Sequence, residues 1–202
     1  MEVFVVWFKT AMLDRKEMKI IDELLGSYVT KNQSIVSVLN SVPVDIFRLG
    51  TQLGFAIFPA RLTDNIDGLL YVDSKKKIKS YDKIIMFNEK LRNNEAHARF
   101  VVAHELGHYI ERVATESNAD ELHDSLAARM VHGQQERSLD ERRIDYLAAS
   151  LLMPRDDVLQ YITNNAKSSN SFDFDFYKNM AHHYIVEIDA AKERVKEVIA
   201  TF

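Results

Sequence analysis

Phe100-Val101-Val102-Ala103-His104-Glu105-Leu106-Gly107-His108 is the stretch from which the rest of the chain can be read. His104 and His108 are four residues apart, so on an α-helix they project from one face about one turn apart. Two imidazoles at that spacing can reach a single tetrahedral ion. Glu105 projects beside them, near enough to hold a water at the ion without ligating it. Zinc lowers the pKa of such a water towards ~7, and a neighbouring carboxylate can then take its proton as it attacks a carbonyl. This is the mechanical content of an HExxH helix. Phe100 to Ala103 and Leu106 supply the apolar stripe of a buried helix. Gly107 costs about 1 kcal/mol in a helix interior, which predicts a close approach by another element at that point. The bland alternative is two core histidines satisfied by hydrogen bonds, with Glu105 at the surface.

A third ligand must come from another segment. A continuation to HxxGxxH would place a histidine six residues after His108, but the chain has Glu111 and Ala114 at the corresponding positions. Glu111 lies seven residues beyond His104, about 10 Å along a helix axis, too far to converge on an ion held between the histidines. The best candidate is Glu141, on the helical run Glu141-Arg142-Arg143-Ile144-Asp145-Tyr146-Leu147-Ala148-Ala149. Asp145 follows one turn later, placed to accept a hydrogen bond from the far ring nitrogen of a ligand histidine and fix its tautomer. Asp140 and Glu136 are rivals. Glu141 also fits a solvated carboxylate favoured by the positive end of a helix dipole.

The 202 residues suffice for one well-filled core, and the net charge of −4 gives no electrostatic reason to expect nucleic-acid binding. The basic run Lys75-Lys76-Lys77 with Lys79 reads as a solvated loop or strand end. With no cysteine, the fold uses no disulfide and any metal must be held by His, Asp or Glu. The apolar opening Met1 to Phe8 lacks the length and flanks of a signal peptide, and no run approaches a membrane span. A cytoplasmic protein is the expectation.

No repeat or linker divides the chain, so a single domain over 1–202 is expected. Met18, Ile21, Leu24 and Leu25 predict a helix ending at Gly26, and a second is predicted from Pro43 through Leu49. The period then changes. Phe55 to Phe58, Gly68 to Val72 and Lys83 to Phe87 read as three strands, with Asp64-Asn65 and Asp67-Gly68 as turn residues. Asn93-Asn94 offers an N-cap for the HExxH helix, which should reach about Arg112. Residues 114–138 form a polar insert with one amphipathic piece around Leu122, Leu126 and Met130. A helix from Leu139 to Met153 stops at Pro154, and two or three more finish the chain, the last from Ile188 to Ile199. His97, His123, His132, His182 and His183 carry no spacing rule that promotes them, although the His182-His183-Tyr184 group could face an oxyanion. Phe172, Phe174, Phe176 and Tyr177 read as a hydrophobic anchor.

Two stretches resemble the ImmA/IrrE-type metallopeptidases. Arg99 to His108 follows the family's approximate RFxxAHExGH, and Glu141 to Pro154, ending Leu151-Leu152-Met153-Pro154, follows its ExxA(D/N)xFAxxLLMP. Ile144 replaces a favoured alanine and Leu147 a favoured phenylalanine; weaker likeness spans about 43–186, including Gly68 and Asn88. The three β-rich runs suggest a small, about three-stranded antiparallel sheet, and with the resemblance the expectation is an α+β, mainly helical zincin-like domain with that sheet beside the metal helix. The resemblance implies one zinc ion per chain on His104, His108 and Glu141, Glu105 as the base, and Asp145 behind a ligand histidine. It further implies an endopeptidase that cleaves a helix-turn-helix repressor. A non-hydrolytic regulator that only binds such a repressor is the alternative, against which an intact Glu105 speaks. A structural zinc site is disfavoured because three protein ligands leave a position open.

Overall fold

A computed structural model of the chain describes residues 13–73, 81–115, 126–131, 138–166 and 172–201. The basic run at 75–79, the opening apolar segment, Leu122, His123, His132 and Glu136 lie outside them.

Helix α1 (Arg15–Lys31) starts where the Asp14 carboxylate accepts the Glu17 N–H at 2.8 Å. It does not end at Gly26. A glycine is tolerated mid-helix when the packing on either side holds, and buried Met18, Ile21 and Tyr28 carry the helix on to a cap at Asn32. Short α2 (Val36–Leu39) leads to α3 (Ile46–Gln52). Asp45, not Pro43, begins α3, because its carboxylate accepts the Arg48 N–H at 3.0 Å.

Three strands appear where the β-rich runs predict them: β1 (Ala56–Ala60), β2 (Ile66–Val72) and β3 (Lys83–Asn88). Asp67-Gly68 is not a turn but lies within β2, at an irregularity between Ile66 and Gly68. After α4 (Glu95–Thr115), a fourth strand β4 (Leu126–Val131) joins the sheet. The order is β1-β3-β2-β4, with β1 parallel to β3 and β2 antiparallel to both its neighbours. The sheet is therefore mixed and four-stranded, not purely antiparallel and three-stranded. The segment around Leu126 and Met130 misled for a physical reason: a spacing of four repeats on one face of a helix and equally on one face of a strand. The polar insert thus contributes a sheet edge.

Helix α4 lies against the sheet on one side and against α1 and α5 (Leu139–Leu152) on others. Every residue from His97 to Gly107 is buried, which is why the helix reads as weakly amphipathic. A Cβ at Gly107 would meet Ile144 Cγ2 at 3.1 Å and the Ile144 carbonyl oxygen at 3.4 Å, so this glycine lets α5 approach closely. Buried Arg99 donates to the carbonyls of Val44, Tyr184 and Ile185, tying α4 to the loop before α3 and to the end of α7 (Phe174–Tyr184). At the far end of α5, Leu151, Leu152 and Met153 are all buried, and the Met153 carbonyl accepts from Arg194 Nε at 3.0 Å. Arg194 belongs to α8 (Ile188–Ala200) and also lies over the Tyr146 ring. Helix α6 (Arg155–Asn165) completes the set, beginning directly after Pro154.

Candidate metal centre

The HExxH segment forms the middle of α4, capped as expected: Asn94 Oδ1 accepts the His97 N–H at 3.1 Å. Helix α5 begins at Ser138, whose hydroxyl accepts the Glu141 N–H at 3.2 Å. That cap fixes Glu141 in the first turn of α5, and the Gly107 contact brings this turn against α4. Here His104, His108 and Glu141 present one ligand atom each, all within 4.8 Å of one another. Glu141 Oε2 lies 3.3 Å from His104 Nε2, and Glu141 Oε1 3.7 Å from His108 Nε2. Ligand atoms of a tetrahedral zinc site, each ~2.0–2.1 Å from the ion, stand about 3.3 Å apart, so the spacing fits. A His, His, Glu donor set also suits zinc, with a position left for water or substrate.

Asp145, one turn beyond Glu141, accepts from His104 Nδ1 at 3.0 Å. With Nδ1 committed to the carboxylate, the Nε2 lone pair faces the cluster. Burial disfavours an imidazolium at His104, but the Asp145 and Glu141 carboxylates, with Glu105, outweigh it and hold its pKa up at about 9.

Glu105 is fully buried. Burial pushes its carboxyl up to about 7, reinforced by the Glu141 charge and opposed by His104 and the Met130 backbone. The Met130 backbone lies beside it, yet neither carboxylate oxygen has a hydrogen-bond partner of normal geometry among the described residues. A buried carboxylate left with unfilled acceptor capacity at the edge of a donor cluster is suited to hold and deprotonate a water.

Gly68 shapes this pocket. A Cβ there would stand 2.5 Å from Val101 Cγ1 and 2.7 Å from Glu105 Oε1. Any side chain at 68 displaces the Glu105 carboxylate or the strand that covers it. Gly68→Ala is expected to cost about 1–3 kcal/mol of stability by overpacking, and to lower hydrolytic activity at least tenfold in the fraction that remains folded. Thermal unfolding and activity per folded molecule test this; wild-type activity would show that Glu105 has room to spare. A glycine inside a strand pattern is the signal that could have flagged the site.

The other candidates separate clearly. Glu111 is paired with Arg143, 3.5 Å away, and stays apart from the cluster as the helix rise requires. Asp140 is exposed and does not join the three donors. His97 is buried against Asp67 at 3.3 Å, and Asp67 also meets Lys90 at 3.1 Å. His183 lies tilted against Tyr161 and meets Tyr184 edge-to-face where α6 and α7 pack. Phe172 and Phe176 pack together with Tyr177 as an anchor, whereas Phe174 is exposed.

A family model described as the IrrE N-terminal-like domain, a peptidase family, matches residues 51–196. The match covers the sheet, α4 to α7 and the first nine residues of α8. No curated protein matches the chain.

Proposed function

The chain belongs to the IrrE N-terminal-like family of peptidases, and from that premise we propose that it is a zinc-dependent endopeptidase. The observation that carries the reading is the convergence of His104, His108 and Glu141 within 4.8 Å beside the buried Glu105 carboxylate. His104 Nε2, His108 Nε2 and a Glu141 oxygen would hold the ion, and Asp145 fixes the His104 tautomer. When bound, zinc supplies Lewis acidity, lowering the pKa of water towards ~7 and polarising a carbonyl. Glu105 takes the proton of the attacking water on its carboxylate and later delivers it to the leaving amine. In the metal-free chain burial holds this carboxyl up at about 7, so it can both take and return a proton more readily than an exposed glutamate. The bare backbone at Gly68 leaves the carboxylate its place, and the closed packing around α4 keeps bulk water from it.

The substrate is a protein, and by the resemblance of the two motif stretches we propose a helix-turn-helix repressor. The zinc-loaded chain should cut a repressor encoded beside it at a single site, and chelation should stop the reaction. A repressor left intact by zinc-loaded protein would overturn the substrate assignment.

Zinc and a proton compete for His104. In the metal-free chain its folded pKa lies above the ordinary 6.5, so protonation stabilises the fold fully below pH 6.5. That contribution is lost as the pH rises through about 9. Zinc needs the neutral ring, so zinc affinity should climb roughly tenfold per pH unit between pH 7 and 9. Competition with a chelator of known affinity measures it; a flat profile would remove His104 from the ligand set.

A further inference from the structure

A second feature lies away from the metal centre. Arg15, Lys16, Lys19, Asp22, Arg155 and Thr201 line a cleft of about 530 Å³ where α1, the start of α6 and the end of α8 meet. That volume falls in the range of small-molecule sites, roughly 300–1,000 Å³. Among the described residues, four cations and one carboxylate line the cleft, an excess of three positive charges on a chain whose net charge is −4. The single carboxylate is engaged, because Asp22 accepts from the Tyr146 hydroxyl at 3.0 Å.

The two arginines have a structural task that also orients them. Arg15 Nε donates to the Ala200 carbonyl, and Arg155 Nη2 approaches the Thr201 carbonyl at 3.5 Å, so both cap the negative end of α8. Capping accounts for two cations and leaves two unexplained. Lys16 and Lys19 are exposed, and the Lys19 contact to Glu23 is a 3.8 Å surface pair, which contributes little. Asp22, Lys19 and Arg15 fall on one helical stripe of α1, and Lys16 flanks it. Like charges gathered around one concavity repel unless an anion is shared among them.

We propose that this cleft binds a small solute bearing two or more phosphate groups. A guanidinium fork matches phosphate oxygens bidentately, and that of Arg15 is already held at the α8 terminus, so little side-chain entropy remains to be lost. The lysines add charge at the mouth. Concavity favours a compact polyanion over a nucleic-acid backbone, which wants an extended basic track. Because Asp22 lines the cleft and also holds Tyr146, an occupied cleft bears on α5, the helix that carries Glu141 and Asp145. The proposal does not depend on the metal or the peptidase reading.

The test uses inorganic tripolyphosphate and the full chain, by isothermal titration at about 0.15 M salt, where diffuse attraction is screened. The expected result is saturable one-to-one binding with Kd at or below about 1 mM. Lys16→Glu with Lys19→Glu should weaken it at least tenfold while leaving the thermal midpoint without ligand unchanged. Lys31→Glu with Lys178→Glu makes the same charge change elsewhere and should weaken it less than threefold. Absence of saturable binding, or equal loss in both double variants, would overturn the proposal. Tighter binding of a DNA duplex, lost in the cleft variant, would equally overturn it by making the cleft a nucleic-acid contact.

Discussion

Glu105→Gln should keep its zinc and lose cleavage of the partner protein by about 10²–10⁴-fold, the usual contribution of a positioned general base. The amide matches the carboxylate in shape, so the packing beside Gly68 and the Met130 backbone is largely preserved. What disappears is the ability to accept a proton. Burial without a normal hydrogen-bond partner leaves Glu105 uncharged over part of the neutral range, so the fold should tolerate the amide well. Metal content and thermal midpoint should therefore match wild type. Unchanged cleavage by a zinc-loaded Glu105→Gln protein would remove Glu105 from the chemistry.

Glu141→Ala should have the largest effect on the metal. It removes one of three donors and the carboxylate that lies 3.3 Å from His104 Nε2 and 3.7 Å from His108 Nε2. Zinc affinity should fall by at least about 10³-fold, since a two-histidine remnant leaves two of the four tetrahedral positions without a protein donor. The side chain is partly exposed at the start of α5, and its backbone N–H is capped by Ser138, so the helix itself should survive. Circular dichroism separates the two effects: retained helix with lost zinc is the expected pair. Unaltered affinity would transfer the ligand role to another carboxylate.

The HExxH helix and the Glu141 helix were legible because both carry local, periodic signals. The Asn94 cap, an apolar run and a terminating Pro154 are signals local to these helices, and the four-residue spacing fixes the face. Gly107 announced its close contact as a cost without a local reason. Strand pairing was harder to read. Parallel pairing of β1 with β3 depends on β2 lying beyond β3, a long-range choice that no local pattern states. The 126–131 segment read only as an amphipathic piece of a polar insert, because the spacing of Leu126 and Met130 is compatible with both periods. Asp67 and Gly68 resembled a turn from composition alone, yet their place in β2 follows from what α4 presents: His97 to receive Asp67, and Glu105 to occupy the space of a missing Cβ. The Arg194 contact to Met153 was likewise invisible, since it joins residues 41 positions apart.

The central claim is that His104, His108 and Glu141 form one zinc site. Titrating the metal-free protein with zinc, with metal content read by mass spectrometry under native conditions, tests it most directly. One zinc per chain in the wild type, and none retained by Glu141→Ala or His108→Ala under the same dialysis, is the predicted result. A wild-type chain that stays metal-free after zinc incubation, or variants that keep a full equivalent, would contradict it.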